Sequence, residues 1–156
     1  MVAVLQRVQS AGVSVDGAEI SKISEGLLIL LGIHTADTAV EGDWLVNKVI
    51  QMRIFSDVSG KMNKSVVDID GQILVVSQFT LLADASQGNR PSYIQAARPE
   101  TAGPLYDYFC DALAIRLEKR IEKGIFGADM KVSLINDGPV TIVLDTEKIM
   151  KRKPDL

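Results

Sequence analysis

Apolar and polar residues interleave from Val2 to Val15, with Val4 and Leu5 giving way to Gln6 and Arg7, the pattern of a half-buried strand. Asp16-Gly17 then reads as a turn, and residues 19–23 as the return strand of a hairpin. Residues 26–33, Gly-Leu-Leu-Ile-Leu-Leu-Gly-Ile, form a short apolar run with little polar relief. That length suits a strand buried on both faces better than a helix.

The period then changes. Thr38 and Glu41 have the spacing of a capping box, in which hydroxyl and carboxylate satisfy the free donors of a helix start. Trp44, Leu45, Lys48, Val49 and Met52 follow on one side at helical spacing. Arg53-Ile54-Phe55 reads as extended, with turns predicted at 57–60 and at Asp70-Gly71.

The run 72–82 is predicted as one strand, with Val75, Ser77, Phe79 and Leu81 on one face and Val76, Gln78 and Thr80 on the other. Residues 83–98 hold the turn formers of a functional loop. A second helix is expected to start near Pro104, burying Leu105, Tyr108, Phe109, Ala112, Leu113 and Leu117. Two strands at 130–135 and 140–144 would be joined by Asn136-Asp137-Gly138-Pro139. These elements make one α+β domain over residues 1–146, followed by a polar tail at 147–156 with Lys148, Lys151, Arg152 and Lys153.

Composition narrows the partners. The chain has 156 residues, 47% of them hydrophobic, enough for a core without staples. Its net charge of −3 argues against wrapping DNA or RNA along a long groove, but leaves room to grip one RNA end through a few cations. The single cysteine, Cys110, allows no intrachain disulfide and suits a reducing cytosol. The start of the sequence is too polar for a secretory signal, and no run is long enough to span a membrane.

The catalytic inventory is sparse. The only histidine, His34, stands at the end of a buried strand, where a capping position is the ordinary reading. Cys110 falls among apolar helical positions and reads as a small core residue. Metal-ligand spacings, dinucleotide and phosphate-loop glycine patterns and Gly-x-Ser-x-Gly are all missing. An enzyme of this composition is expected to need no metal or cofactor, and to act on a labile bond through positioning and backbone donors.

Three segments interrupt the apolar pattern. Ser77-Gln78-Phe79-Thr80-Leu81 places two hydroxyls and an amide after buried aliphatics, which alone would suit a strand leaving the core. Gly88-Asn89-Arg90-Pro91-Ser92 has the chemistry of a tight loop. In Asn136-Asp137-Gly138-Pro139 the Asp-Gly pair signals a hairpin, while the proline after it permits a cis bond.

In this order and spacing the segments resemble the D-aminoacyl-tRNA deacylase family over nearly the whole chain. The carriers are Ser77-Gln78-Phe79-Thr80-Leu81, Asn89-Arg90-Pro91, Phe126-Gly127-Ala128-Asp129-Met130 and Asn136-Asp137-Gly138-Pro139-Val140-Thr141, with Gln6-Arg7-Val8 and Arg53-Ile54-Phe55. Tyr93 stands where the family pattern has phenylalanine, and the basic tail is longer than that pattern.

The resemblance implies a cytoplasmic homodimer of barrel-like mixed sheets with two main helices, its active sites at the subunit interface. It implies hydrolysis of the ester of D-aminoacyl-tRNA, and of mischarged glycyl-tRNA, without a cofactor. Ser77, Gln78, Phe79 and Thr80 would carry catalysis. Asn89, Pro91, Ser92, Phe126 and Met130 would bind the aminoacylated terminal adenosine. Gly138 and Pro139, joined by a cis peptide, would reach in from the other subunit and crowd an L substituent. Backbone N–H groups of Phe79 and Thr80 would hold the oxyanion, and the substrate's own 2′-hydroxyl would activate water. Thr80 as a covalent nucleophile ranks lower, because it lacks a base. Lys61, Lys64, Arg90 and Arg98 are candidates for phosphate contacts at the acceptor end. A small-molecule esterase and a non-catalytic module that binds RNA ends are the rival readings.

Overall fold

The computed structural model describes residues 1–150. Its longest strands, β1 (Val2–Val15) and β8 (Lys131–Asp145), run antiparallel along almost their whole lengths. On its other edge β1 pairs first with β3 (Gly26–Gly32) and then with β2 (Ala18–Ile23), both antiparallel. β3 continues in parallel to β6 (Gln72–Ser77), and β6 in parallel to β7 (Glu122–Lys123). β2 also lies against β6 and β7, so the mixed sheet curls into a nearly closed barrel. A short hairpin, β4 (Phe55–Ser56) and β5 (Met62–Lys64), stands apart from it.

The apolar run in β3 is buried on both faces, and parity divides its side chains. Leu27, Ile29 and Leu31 join Ile73 and Val75 in a core against the helices. Leu28 joins Leu74, Val76, Val8, Ala11, Val13 and Ile23 on the sheet's other face, closed off by the curl. A strand with polar alternation could serve only one of these two cores.

Two helices cover the first core. α1 (Ala39–Gln51) opens on the expected box, with Val40 N–H donating to Thr38 Oγ1 at 3.2 Å and Thr38 N–H to Glu41 Oε2 at 2.8 Å. It buries Leu45, Val46, Val49 and Ile50, with Trp44 and Met52 half-buried beside them. α2 (Pro99–Leu117) begins at Pro99, five residues before the expected start, and carries Pro104 in its second turn. Proline at the first helical position loses nothing, and Pro104 forgoes only one bond, to the exposed Glu100. The buried stripe is Ala102, Tyr106, Phe109, Cys110, Leu113 and Leu117, with Leu105 and Ala112 of the expected stripe only partly buried. Tyr108 is turned outward, where its hydroxyl donates to Asp43 at 2.6 Å. A five-residue helix, α3 (Thr146–Met150), closes the described chain. There the Met1 ammonium donates to Thr146 Oγ1 at 2.6 Å and to Asp37 at 2.8 Å. Lys151, Arg152 and Lys153 of the expected tail lie outside the described residues.

Two further expectations are corrected. The strand predicted over 72–82 ends at Ser77, and Phe79–Leu82 form a 3₁₀ turn. Its parallel partner β3 ends at Gly32, so the ladder has nothing left to pair with. Nor is Asn136-Asp137-Gly138-Pro139 a hairpin: the chain continues in the same direction as β8. Gln6 pairs with Thr141 and Val8 with Asn136, so four residues bulge out opposite Arg7. An Asp-Gly signal cannot distinguish reversal from bulging, because both need the same local freedom at glycine.

Candidate active site

The parallel pair β3–β6 ends at a cleft of about 550 Å³. Gln78 N–H donates to Leu31 O at 2.8 Å, the last rung of the ladder, after which the chain winds into the 3₁₀ turn. Gly32 makes that close approach possible. A Cβ there would lie 2.5 Å from Leu82 Cδ2 and 3.0 Å from the Gln78 carbonyl oxygen. Within the turn, Leu81 N–H bonds Gln78 O and Ala83 N–H bonds Thr80 O. Among the described residues, the Phe79 and Thr80 N–H groups have no protein acceptor. The Gln78 side-chain amide donates to the Thr80 hydroxyl, which braces the turn.

The walls are apolar and aromatic. Phe79 is 57% exposed and meets Tyr93 edge-on, with ring centroids 5.1 Å apart. Phe126, Gly127, Ala128, Met130 and Val132 also line the cleft, as do Leu31, Ile33, Val76 and Ala102. Phe126 leans on the buried ring of Tyr106 at 5.9 Å, and the Tyr106 hydroxyl donates to Val75 O at 2.7 Å. The charged lining residues are Arg98 and Asp129, and Lys131 Nζ holds both carboxylate oxygens of Asp129 at 3.1 Å.

The structure thus brings together Ser77, Gln78, Phe79, Thr80, Phe126 and Met130. Asn89, Pro91 and Ser92 do not line the cleft. Asn89 and Pro91 are exposed at the loop tip, while Ser92 and Asp84 exchange backbone bonds of 2.8 and 2.9 Å that close the loop base. What that loop contributes to the wall is Tyr93. Gly138 and Pro139 also lie outside this chain's own cleft.

The Gly138–Pro139 peptide is cis, and Gly138 has φ +134°, a conformation that favours glycine. Its bulge is held by two side chains of β1 and by a bond within the segment. Arg7 Nε donates to Asp137 O at 2.9 Å and Arg7 Nη1 to Ile54 O at 2.7 Å. Gln6 Oε1 accepts from Asn136 Nδ2 and Thr141 Oγ1, each at 2.5 Å. Val140 N–H donates to Asn136 Oδ1 at 2.8 Å. Sequence reasoning quoted Gln6 and Arg7 without assigning them a task, and it missed Tyr106. The available signal was two polar side chains in the middle of an apolar strand.

The remaining nucleophile candidates stand elsewhere. His34 lies across the 3₁₀ turn, in a separate pocket of about 440 Å³, where its Nδ1 accepts from Ala36 N–H at 3.0 Å. It caps a turn, as its position in the sequence suggested. Burial pushes the Cys110 thiol up to about 12, which makes it a poor source of thiolate. Among the described residues, no group of three His, Cys, Asp or Glu is placed to hold a metal ion. No helix among them is long and apolar enough to cross a membrane.

Fold and cleft together define an α+β protein with a candidate site that opens at the end of a parallel strand pair. The family model described as D-Tyr-tRNA(Tyr) deacylase matches residues 4–145. A D-aminoacyl-tRNA deacylase from Akkermansia muciniphila is 58% identical over 145 residues, 93% of this chain and 97% of that one. One from Flavobacterium johnsoniae is 55% identical over 144 residues, 92% and 96% of the two chains. Among solved structures, the c-Myc DNA Unwinding Element Binding Protein superposes with a TM-score of 0.87 at 45% identity, covering 93% of this chain and 98% of its own. A probable eukaryotic D-amino acid tRNA deacylase superposes with a TM-score of 0.80 over 92% and 97% at 16% identity, a likeness of fold alone. The chain belongs to the D-Tyr-tRNA(Tyr) deacylase family.

Proposed function

We propose that the cleft takes the aminoacylated terminal adenosine of tRNA and hydrolyses its ester when the amino acid is D. The observation that carries this is the 3₁₀ turn, whose Phe79 and Thr80 N–H groups stand at the cleft without an acceptor among the described residues. Aimed at the ester carbonyl, they hold the negative charge that develops as water adds. One such donor contributes about 3–4 kcal/mol of barrier lowering. With no histidine among the described residues that line the cleft, and Asp129 there paired with Lys131, the neighbouring 2′-hydroxyl of the substrate activates the water. Ser77 and Gln78 orient the ester, and Phe126, Met130 and Tyr93 supply apolar surface for the adenosine. Asn89, Pro91 and Ser92 act through the loop that presents Tyr93.

The chiral filter in this reading comes from a second copy of the chain. Among the described residues β8 pairs with β1 alone, and on this edge strand Ile135 is 56% and Val143 is 62% exposed. A long apolar edge of this kind calls for a partner. In a homodimer formed there, the bulge at Gly138 and Pro139 enters the partner's cleft and fills the space an L side chain needs. A D-amino acid or glycine avoids that contact, so mischarged glycyl-tRNA is also a substrate. Aminoacyl-tRNA and the lone buried cysteine both suit the cytoplasm.

The test is a deacylation time course on D-tyrosyl-tRNA and L-tyrosyl-tRNA with a metal chelator present, beside an equilibrium measurement of subunit mass. Rapid loss of only the D ester, by a dimer, is expected. Equal loss of both esters points to a general esterase, and binding without turnover to an RNA-end module.

A further inference from the structure

Most cations on this acidic protein are tied to carboxylates or spread over its surface, and their positions separate one from the rest. Lys119, Arg120, Lys123, Lys131 and Lys148 each form an ion pair. Of the four cations singled out in the sequence, Lys61, Lys64 and Arg90 do not line the cleft, whereas Arg98 does. Among the described residues the Arg98 side chain has no ion pair and no hydrogen bond, although it stands at the helix N-cap. Among the described residues the one acid lining the cleft, Asp129, is already taken by Lys131. Among the described residues, Arg98 is therefore a cation on the cleft's lining with no ion-pair partner.

Its mount is firm. Just before it, Thr35 N–H donates to Gln95 O at 3.0 Å and Ala97 N–H to Ile33 O at 2.8 Å. Just after it, Thr101 and Ala102 N–H both donate to the Arg98 carbonyl, and Pro99 restricts its backbone to the extended form it adopts, φ −69° and ψ 156°. Backbone this well fixed presents the guanidinium from a stable point while leaving all five of its donors free.

We propose that Arg98 holds the phosphate on the 5′ side of the tRNA's terminal adenosine, and so positions the acylated ribose under the 3₁₀ turn. This deepens the reading of the cleft as the deacylation site and rests on it. With the ester at Phe79 and Thr80 and the adenosine between the aromatic walls, that phosphate is the nearest anion of the substrate, one ribose away from the ester. A planar guanidinium meets two phosphate oxygens at once, which fixes orientation as well as charge.

The experiment compares Arg98→Gln and Arg98→Lys with the unaltered protein on two substrates, D-tyrosyl-tRNA and D-tyrosyl-adenosine, which lacks the phosphate. Arg98→Gln is expected to raise KM for the tRNA about tenfold or more with kcat little changed, and to leave D-tyrosyl-adenosine unaffected. Arg98→Lys should recover part of the loss. The salt dependence of binding to an RNA oligonucleotide ending in CCA should become shallower by about 0.7 in log–log slope, one single-stranded phosphate contact. Equal losses on both substrates would show that Arg98 merely supports the cleft, and no loss on the tRNA would show that it touches no phosphate. Either result overturns the proposal. If the unaltered protein cleaves neither substrate, the deacylase reading fails separately. The oligonucleotide measurement then still decides Arg98, because an unchanged salt slope in Arg98→Gln rejects it.

Discussion

Replacing Arg7 with methionine keeps the aliphatic stem in place and removes the group that ties the 136–140 bulge to the body of the protein. The side chain is only 11% exposed and makes two charge-assisted bonds, to Asp137 O at 2.9 Å and Ile54 O at 2.7 Å. Such bonds contribute about 1.5–3 kcal/mol each. The Asp137 carboxylate, 3.9 Å away and 41% exposed, adds little beyond them. Some of the loss is recovered, because the Asp137 carbonyl can turn to water at the exposed bulge, whereas Ile54 is buried and its carbonyl cannot. The net cost is therefore roughly 2–4 kcal/mol, which for a chain of this length lowers Tm by roughly 5–15 °C. Arg7→Lys keeps the charge but reaches only one carbonyl, so about half the loss is expected.

Urea denaturation followed by circular dichroism measures the change, with an unaltered slope indicating that the unfolded state is the same. The deacylation ratio between D- and L-tyrosyl-tRNA, taken on the same samples, measures the bulge's function. Where Gly138 and Pro139 exclude L substrates, a loosened bulge hydrolyses more of the L ester while the D rate falls little. A stability loss below about 0.5 kcal/mol would refute the anchoring argument. A normal loss with an unchanged D/L ratio would separate the anchor from the chiral filter.

Other perturbations reach the turn and the core. Thr80→Ala should leave turnover within a few-fold of normal in a single-turnover assay, since the turn's backbone donors survive, and a collapse in rate would revive Thr80 as nucleophile. Gly32→Ala forces a methyl to within 3.0 Å of the Gln78 carbonyl and 2.5 Å of Leu82 Cδ2. It should cost about 1–3 kcal/mol in denaturant titration and depress deacylation beyond what unfolding explains. Cys110 links folding to alkaline pH. Its thiol, ordinarily near 9, is pushed up to about 12 by burial, so the folded state keeps a proton that the unfolded chain releases. Stability is then intact below about pH 9 and falls as pH rises toward 12, by at most about 1.4 kcal/mol per pH unit. Urea midpoints at about pH 8 and pH 10.5 should fall more for the unaltered protein than for Cys110→Ala.

Periodicity made β1, the buried β3 and the capped α1 legible, because each expresses one local rule without interference. It failed where two rules competed. Apolar residues at 79, 81 and 82 continue the strand pattern, yet the strand ends at Ser77 because its neighbour ends at Gly32. No local pattern carries information about where a partner strand stops. The same limit applies to Pro104, since a proline suits the first turn of a helix but does not say how many residues precede it, and the helix starts at Pro99.

The site was legible to a different degree. Ser77 to Thr80 stood out as polar residues in apolar surroundings, and the structure puts them on the cleft wall. Asn89, Pro91 and Ser92 stood out equally, yet they reach the cleft only through Tyr93, whose ring meets Phe79. A sequence marks where backbone must bend or polar groups must be satisfied. It does not say whether a marked residue touches the ligand or holds the one that does. Arg7 and Gln6 belong to the second kind, since everything they bond lies in the bulge, in Ile54 or in Thr141, and none of it lines this chain's cleft. Through Arg7 and Gln6, β1 thus holds a bulge that lines none of this chain's own cleft. That expenditure of partly buried hydrogen bonds makes sense if the loop's working surface is in another copy of the chain.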